Sequence, residues 1–513
     1  MRVHDRKPRV LVVIAHFDDT RNPNGRPHFV PQGMGHSYLA GAFHRQNVEV
    51  KIYSEFHSGP LKDEHIFAWP DMLVLTGVTS AFDRMRQLTA YVRTKSPGCI
   101  VVAGGPAVRN LPLLSVATFD YACRGDIEDL MEVARDVFGA DAVTDDMRPR
   151  FDLLTWKSAV NYVESSRYCN FRCTFCALTA ERREYKSYDL EYLADQIRAY
   201  TQKKPVLFID NNFYGNNRSL FAQKLVLLKG LVKEGALPGW IALVTADFFA
   251  DPQNVVRAQE AGCLGLFSGV ESFDADQIRL YNKRQNLLPQ IETIKNCFEA
   301  GIVFQYGLIF DPTTQHVRQM RDELEFAINC NAIPLPAFTS LTIPLLGTPL
   351  FDERVMSGQF LPMTKLRDMD GFTLLTKPLD GVEQVLPFVR SLVAIDGRFS
   401  QFARRGAGFL RRYWRSLSAR QLAFVMASSF PRLIDRRRTV SADDDDRLTY
   451  VTTTQPLGPL YRPIFAVPDR YQDYFQPTMI TDGAGGLEMQ IADNLSAREL
   501  PRTNTNVARA AMA

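Results

Sequence analysis

Short apolar runs alternate with helix-like stretches along the first 140 residues of the chain. After Arg9, residues 10–15 are all apolar, which is typical of a parallel strand buried on both faces. The same pattern predicts three more strands and two helices, with strands at 48–53, 72–77 and 99–103 and helices at 36–44 and 82–94. This alternation predicts an α/β fold in which residues 1–145 form a doubly wound sheet.

The alternation continues with longer units between residues 155 and 355. Strand-like runs begin at residues 161, 206, 240, 264, 303 and 338. Six such units indicate a partial (β/α)6 barrel, a type of domain that carries its active site on the loops after the strands. We therefore expect the functional residues of this domain in those loops.

The pattern changes beyond residue 356, where basic and apolar residues are mixed in helix-like stretches. Residues 356–483 are predicted to be a mainly helical C-terminal region, and residues 484–513 a disordered tail. Eleven arginines lie among aromatic and apolar residues between 398 and 438. Such a segment can lie on an anionic membrane surface, cap the barrel and pair with acidic groups of the protein, or receive a phosphorylated substrate. The acidic run at 443–446 is typical of a solvated loop.

The composition limits the number of domains, the class of partner and the cellular compartment that we expect. The 513 residues are enough for two or three domains, and 46% hydrophobic residues are enough for their cores. A net charge of +3 gives no electrostatic case for a nucleic-acid partner. The cysteine pattern does not suggest a disulfide framework, and the apolar runs predict neither a signal peptide nor a membrane-spanning segment. We expect a cytoplasmic protein, with the arginine-rich segment as its candidate for peripheral membrane contact.

Three cysteines carry the clearest chemistry. Cys169, Cys173 and Cys176 follow a C-x3-C-x2-C spacing, and the next cysteine, Cys263, lies far along the chain. Thiolates are the usual ligands of iron–sulfur clusters, which normally take four of them. Three close cysteines without a fourth leave one iron open to a small molecule. A Cys3His zinc site is the alternative, but no histidine follows within reach in the sequence.

The stretch YCNFRCTFC around these cysteines resembles the radical S-adenosylmethionine (SAM) superfamily. The resemblance implies that the three cysteines hold a [4Fe-4S] cluster and that the open iron binds the amino and carboxylate groups of SAM. It also implies that Phe175 lies near the adenine, although this residue taken alone is typical of core packing.

Further motifs resemble this superfamily and follow in the expected order. The fourth barrel strand ends in Gly-Val-Glu-Ser, where Glu271 and Ser272 resemble contacts to the ribose and amino acid of SAM. A structural ion pair is the alternative for Glu271. The turn PLLGTP at 344–349 resembles the Pro-x-Pro-Gly-Thr-Pro turn of the family. Asn211 and Asn212, after the second barrel strand, stand where many members hold the SAM amino group, and a helix N-cap is their alternative role.

Loops at the carboxyl ends of the first sheet are rich in small and hydroxyl residues, and such edges bind ligands in doubly wound sheets. Directly upstream of the cysteine triad, this Rossmann-like unit resembles the cobalamin-binding domain of the B12-dependent radical SAM enzymes, which include class B methyltransferases. The residues that the resemblance assigns to cobalamin are Thr76, Gly77, Thr79, Ser80, Gly104, Gly105, Arg124 and Gly125.

This assignment rests on architecture, because the Asp-x-His-x-x-Gly sequence that supplies a cobalt ligand in classical cobalamin domains is missing. The nearest match, at 63–68, lies in the wrong loop and lacks the glycine, so we interpret His65 as a surface or packing residue. The radical SAM branch commonly lacks this histidine. The sequence lacks the G-x-G-x-x-G fingerprint of a dinucleotide site. The alternative to a cobalamin site is a domain that binds no ligand.

The resemblance as a whole implies an enzyme that methylates an unactivated carbon of a small-molecule or lipid substrate. One SAM would supply the methyl group through cobalamin, and a second would yield the 5′-deoxyadenosyl radical that removes hydrogen from the substrate. No protein residue is expected to be a catalytic nucleophile, and an external electron donor such as flavodoxin or ferredoxin is expected.

Other functions remain open at this point. Cyclases and rearrangement enzymes of the same family share the architecture without transferring methyl groups. A cobalamin- or cluster-binding regulator without turnover is a more distant alternative. The chain has no second cysteine triad, which argues against the methylthiotransferases.

Overall fold

The computed structural model describes residues 6–17, 34–145, 148–154, 158–283, 290–393, 399–429, 461–497 and 507–509. The arginines beyond residue 429, the acidic run at 443–446 and part of the predicted tail lie outside these ranges.

The N-terminal unit is a parallel sheet with helices on both faces. Its strands are β1 (Arg9–Ile14), β2 (Glu49–Ser54), β3 (Met72–Thr76), β4 (Ile100–Gly104) and β5 (Tyr121–Cys123). Its helices are α1 (Gly35–Gly41), α2 (Glu55–Ser58), α3 (Glu64–Ala68), α4 (Phe82–Lys95), α5 (Pro106–Asn110), α6 (Pro112–Thr118) and α7 (Ile127–Phe138). The strand order is β5-β4-β3-β1-β2, so the direction of winding reverses between β1 and β3. This is the doubly wound architecture predicted from the sequence.

Alternate residues of β1 enter two different cores, which explains its continuous apolar run. Leu11 and Val13 pack in the core beneath α4, whereas Val10 and Val12 pack in the core beneath α1 and α7. All four side chains are fully buried. A strand covered on both faces has no position for a polar side chain.

The central unit is a curled sheet of six parallel strands in the shape of a partial barrel. The strands are β6 (Asn161–Val163), β9 (Val206–Phe208), β10 (Trp240–Leu243), β11 (Cys263–Glu271), β12 (Val303–Phe310) and β13 (Phe338–Leu341), in the order β13-β12-β11-β10-β9-β6. Two short antiparallel strands follow β6, namely β7 (Ser166–Arg167) and β8 (Lys186–Ser187). The helices of this unit are α8 (Ala177–Glu181), α9 (Leu190–Arg198), α10 (Arg218–Lys233), α11 (Gln253–Glu260), α12 (Ala275–Leu280), α13 (Gln290–Glu299), α14 (Val317–Asn329) and α15 (Pro349–Met356).

The arginine-rich segment begins as a helical cap on this barrel. Three helices continue the chain: α16 (Val382–Val393), α17 (Phe399–Tyr413) and α18 (Ala419–Ser429). Phe409 and Tyr413 of α17 pack on Phe298 of α13, with ring centroids about 5 Å apart. The buried guanidinium of Arg405 donates to three main-chain carbonyl groups at 2.6–2.9 Å, those of Ala327, Cys330 and Ile333. The apolar face of α17 is therefore committed to the barrel, as the capping alternative expected.

The chain then returns to the N-terminal unit. A 3-10 turn, Asp469–Phe475, packs against α4, and α19 (Met489–Ala497) packs against α6. The side-chain oxygen of Asn494 accepts hydrogen bonds from the backbone N–H groups of Leu113 and Leu114 at 2.8 and 3.1 Å. These two donors lie in the first turn of α6, where an N–H group has no partner within the helix.

The strand β14 (Val507–Arg509) then pairs antiparallel with the edge strand β5. The prediction of a disordered tail from residue 484 is therefore wrong for α19 and β14. Its physical reason is burial, because Ile491 is fully enclosed by the N-terminal unit. None of the helices that the structure describes is long and apolar enough to cross a membrane.

Candidate active site

The three cysteines lie in the loop between β7 and β8, directly after the first barrel strand. The hydroxyl of Thr179 donates to the carbonyl of Cys173 at 2.8 Å, and the N–H of Thr174 donates to the carbonyl of Tyr281 at 3.2 Å. The helix α8 begins directly after Cys176. The loop is thus held at the carboxyl end of the barrel, where the sequence predicted the functional residues.

The thiol groups lie close enough to influence one another, with Cys173 buried and Cys169 and Cys176 partly buried. Burial raises the pKa of Cys173 to about 11, and the two other cysteines add to this effect; burial also raises the pKa values of Cys169 and Cys176. Such thiols ionise readily only when a bound metal compensates the charge. Within the described ranges, no three Cys, His, Asp or Glu side chains converge tightly enough to hold a single ion.

A buried ion pair stands beside the cysteine loop. The strand β11 ends at Glu271, whose φ is 64°, and the Glu271 carboxylate pairs with the ammonium group of Lys283. The Lys283 Nζ also donates to the carbonyl of Gly269 at 2.9 Å. The two side chains are only 11% and 8% exposed. The Lys283 ammonium opposes the effect of burial on the pKa values of Cys169 and Cys173, so it lies near the thiols.

Lys283 was not among the residues singled out from the sequence. It follows α12 in a loop without a recognised motif, and only folding brings its ammonium back to the end of β11. Gly269 has a clear role here, because a Cβ at this position would collide with the carboxylate of Glu271. The glycine of the Gly-Val-Glu-Ser motif therefore leaves the space that this ion pair occupies.

Glycines allow three loops of the N-terminal sheet to pack together at its carboxyl edge. A Cβ on Gly77 would lie 3.0 Å from the carbonyl oxygen of Ala15. Gly105 has a φ of 111°, and a Cβ there would lie 3.0 Å from the carbonyl oxygen of Gly77. The loops after β1, β3 and β4 therefore meet at the point where the winding of the sheet reverses, which is where such sheets bind ligands.

The other residues assigned to this edge differ in their exposure. Thr76, Ser80 and Gly104 are partly exposed, whereas Thr79 is buried at the start of a short 3-10 turn. His65 is exposed on α3 and lies outside these loops, as the sequence interpretation held.

The loop after β5, which borders the same edge, is joined directly to the cysteine loop. Arg109 donates to the carbonyl groups of Arg124 and Gly125 at 2.8 and 3.0 Å, which fixes the turn after β5. The hydroxyl of Tyr168, the residue before Cys169, donates to the carboxylate of Asp126 at 2.8 Å. The predicted cobalamin edge and the predicted cluster loop are thus neighbours in space.

Comparison with known proteins agrees with this geometry. Residues 163–324 match the family model described as Radical SAM superfamily. The chain carries a radical SAM domain. Its sequence is 28% identical over 214 residues to bacteriochlorophyllide d C-8(2)-methyltransferase of Chlorobaculum tepidum, covering 39% of this chain and 46% of that protein. It is 26% identical over 191 residues to hopanoid C-3 methylase of Methylococcus capsulatus, covering 36% of this chain and 35% of that protein. The matches thus span less than half the length of each curated relative.

Solved structures extend the likeness beyond the radical SAM domain. The cobalamin-dependent SAM radical enzyme OxsB, with aqua-cobalamin and SAM bound, has a TM-score of 0.55 at 16% identity, covering 86% of this chain and 78% of that one. The radical SAM methyltransferase TsrM from Kitasatospora setae has a TM-score of 0.51 at 14% identity, covering 70% of this chain and 78% of that one. At such identities the likeness concerns the fold. The predicted family resemblance and α/β architecture are confirmed.

Within the radical SAM domain, the Ser272 side chain is hydrogen-bonded to another residue of the protein. Its side chain is fully buried, and its hydroxyl donates to the carboxylate of Glu323 at 2.6 Å. The backbone N–H of Phe273 donates to the same carboxylate oxygen. The geometry therefore gives Ser272 a partner within the protein, and a contact to SAM stays a prediction.

The residues after β9 hold the start of the cysteine loop. The buried carboxylate of Asp210 accepts hydrogen bonds from the N–H groups of Ser165 and Ser166, just before the cysteines. The Asn212 side chain donates to Asn170 at 2.7 Å, and its own buried carbonyl oxygen has no hydrogen-bond partner among the described residues. Asn211 is exposed. Neither asparagine is the N-cap of α10, a position that Asn217 takes.

Phe175 keeps one side available at the cysteine loop. Its ring contacts Tyr281 edge-on, with centroids 5.1 Å apart, and it is only partly buried. Tyr281 itself is buried, and its hydroxyl bonds with that of Thr342 at 2.7 Å. Phe175 is therefore a supported but partly open ring, which is the environment that a stacking ligand requires.

Proposed function

We propose that this protein is a cobalamin-dependent radical SAM enzyme that methylates an unactivated carbon of a small-molecule or lipid substrate. The observation that carries this proposal is the junction of the two predicted cofactor sites at Tyr168 and Asp126, next to Cys169. The names of both curated relatives support methylation, because each specifies methyl addition at a numbered carbon position.

Cys169, Cys173 and Cys176 would hold a [4Fe-4S] cluster, with one iron left for SAM. When bound, the cluster, SAM and cobalamin supply the radical and methyl-transfer chemistry. The protein contributes position and exclusion of water. The contacts of Thr174 and Thr179 hold the loop in shape, and burial shields the Cys173 thiol from solvent.

The ion pair of Glu271 and Lys283 is suited to the amino-acid part of SAM, which carries one amino and one carboxylate group. Lys283 would bind the carboxylate, and Glu271 would accept a hydrogen bond from the amino group or a ribose hydroxyl. Without SAM the two side chains neutralise each other, so neither buried charge lacks a partner. The free carbonyl oxygen of Asn212 offers a further acceptor, and the open side of Phe175 a surface for adenine.

Cobalamin would bind at the carboxyl edge of the N-terminal sheet. Gly77 and Gly105 let the loops after β1, β3 and β4 pack closely at this edge, and Thr76 and Ser80 provide partly exposed hydroxyls there. The turn at Arg124 and Gly125, held by Arg109, borders the same edge. No side chain of the protein needs to act as a nucleophile in this scheme.

An apolar substrate is supported by the concave face of the barrel sheet. Phe267 of β11 stacks on Phe338 of β13, with ring centroids 5.8 Å apart and an interplanar angle of 16°. Phe338 lies across Gly307 of β12 and is 45% exposed, which is unusual for a large apolar ring inside a barrel. Gly269 lies on the same face of β11, two residues beyond Phe267, and a Cβ there would collide with the carboxylate of Glu271. A substrate on these rings would therefore lie near the SAM site.

Two partners complete the proposal. An external electron donor such as flavodoxin or ferredoxin would supply the electron that each cleavage of SAM consumes. Peripheral membrane contact, for delivery of a lipid, would use the surface of the helical cap that does not pack on the barrel. Arg411, Arg412 and Arg415 are exposed there, beside Trp414, which is 58% exposed.

The test is an anaerobic reconstitution of the full chain with iron, sulfide, hydroxocobalamin, reductant and SAM. We expect about four irons per chain, bound cobalamin and formation of 5′-deoxyadenosine. Cys173→Ala should lose most of the iron and all deoxyadenosine, whereas Cys330→Ala, a matched change outside the triad, should behave like the wild type. Deoxyadenosine formation by Cys173→Ala at the wild-type rate would contradict the assignment of the cluster.

A further inference from the structure

A cationic side chain of the C-terminal region, that of Arg367, lies at the carboxyl edge of the N-terminal sheet. A 3-10 turn at Leu366–Asp368 packs against the turn at Thr79–Ala81, which begins α4. Phe17 follows β1 at the same edge. Arg367 therefore lies where the winding of the sheet reverses between β1 and β3, although it is almost three hundred residues away in the sequence.

Two aromatic rings hold the guanidinium of Arg367. Its central carbon lies 5.3 Å from the ring centroid of Phe17 and 5.0 Å from that of Tyr461. The two rings stack on each other, with centroids 5.4 Å apart. The hydroxyl of Tyr461 donates to the buried carboxylate of Asp83 at 2.9 Å, which fixes the ring. The guanidinium is thus positioned before any ligand arrives.

Arg367 has no anionic partner among the residues that the structure describes. It makes no ion pair within these ranges, and its Nε is buried without a hydrogen-bond partner there. The nearby acids are engaged elsewhere: Asp83 accepts from Tyr461 and Thr478, and Asp368 accepts from the N–H of Lys365 at 2.9 Å. A half-buried guanidinium without a carboxylate is the donor set that a phosphate group matches.

We propose that Arg367 binds the phosphodiester group in the nucleotide tail of cobalamin. This inference rests on the proposed function, because it requires cobalamin at this edge. Cobalamin carries one negative charge in that tail, and the guanidinium fork fits two phosphate oxygens at once. Arg367 is a binding residue in this role and takes no part in the chemistry at cobalt.

The test compares two corrinoids that differ in the tail. Hydroxocobalamin carries the nucleotide and its phosphate, whereas diaquocobinamide has the same corrin ring without them. Binding to the full-length protein is measured by equilibrium dialysis with absorbance detection, for the wild type, Arg367→Met and Arg367→Lys. The control is Arg470→Met, because Arg470 also lies over a tyrosine ring but is exposed on the Asp469–Phe475 turn.

Arg367→Met should bind hydroxocobalamin about tenfold to a hundredfold more weakly than the wild type, because one charge-assisted contact to phosphate is lost. Its affinity for diaquocobinamide should stay within about twofold, since that ligand never used the contact. Arg367→Lys should lie between the two, and Arg470→Met should bind both corrinoids normally. Urea unfolding of each variant checks that the fold is intact.

Two results would contradict the proposed role of Arg367 without contradicting the proposed cobalamin site. Equal weakening for both corrinoids would mean that Arg367 supports the fold or the corrin ring, and unchanged affinity for both would mean that it binds some other anion, such as free phosphate. If the wild type binds neither corrinoid, the proposed cobalamin site falls as well.

Discussion

Variants of the Glu271–Lys283 ion pair can show whether this pair only stabilises the fold or also binds SAM. Replacing Lys283 by Met keeps most of the side-chain volume but leaves the Glu271 carboxylate buried at 11% exposure without its cation. Breaking one side of a buried pair typically costs about 3–5 kcal/mol of unfolding free energy. The double variant Lys283→Met/Glu271→Gln removes the uncompensated charge, so it should regain most of that loss.

Affinity for SAM should follow a different pattern from stability. If Lys283 binds the carboxylate of SAM, its loss removes a charge-assisted hydrogen bond, which is about 1.5–3 kcal/mol or roughly tenfold to a hundredfold in Kd. The double variant cannot regain this, because it has neither charge. We therefore expect the double variant to be stable and yet to bind SAM at least about tenfold more weakly than the wild type.

The assay combines urea unfolding with anaerobic equilibrium dialysis of SAM on protein whose iron content has been verified. Electron paramagnetic resonance of the reduced cluster, with and without SAM, gives a readout independent of turnover. The spectrum of the wild type should change on addition of SAM, and that of the double variant should change only at much higher SAM concentration. A double variant that binds SAM with wild-type affinity would refute the role of the pair and leave it as a structural ion pair.

Three further predictions test the elements around the site. Tyr168→Phe removes the hydrogen bond to the Asp126 turn, so it should leave iron and cobalamin content unchanged and yet lower the methylated product formed per deoxyadenosine; an unchanged ratio in a product assay would contradict the proposed junction. Arg405→Met removes the donor to three buried carbonyl groups and should lower the free energy of unfolding by at least about 2 kcal/mol, measured in urea, and a loss below about 0.5 kcal/mol would contradict its role in the cap. Burial raises the pKa of Glu164 from its ordinary value of 4.5 to about 7, against the Arg167 guanidinium, so the wild type should lose up to about 3 kcal/mol of stability as pH rises from about 4.5 to 7. Glu164→Gln should show a flatter profile across that window, and identical profiles for the two proteins would refute the assigned burial.

Both parallel sheets could be predicted because a strand that is buried on both faces is a continuous apolar run in the sequence. The apolar run of β1 reflects two cores, and the barrel strands repeat the same pattern. The C-terminal segments that pack on the N-terminal unit, α19 and β14, show no such pattern in their own sequence. The strand β14 is only three residues long, and its pairing with β5 depends on a contact between opposite ends of the chain. Its sequence alone is typical of a polar tail.

Motifs predicted which residues gather at the site but not the direction of their side chains. The side chain of Ser272 bonds with Glu323 within the protein, whereas that of Asn212 donates to Asn170 in the cysteine loop itself. Lys283 was missed for the converse reason, because its role arises only when the chain after α12 folds back on the end of β11. Burial and pairing are properties of the packed structure, and the spacing of a motif does not contain them.

The central claim is that radical cleavage of SAM is coupled to methyl transfer through bound cobalamin. The most direct measurement follows methyl-labelled SAM in the reconstituted, anaerobic protein, with 5′-deoxyadenosine counted in the same sample. The account predicts deoxyadenosine together with label in the bound corrinoid and, when substrate is supplied, in the product. Deoxyadenosine formed without label in either fraction, on protein with verified iron and cobalamin, would contradict methyl transfer and favour a cyclase or rearrangement enzyme.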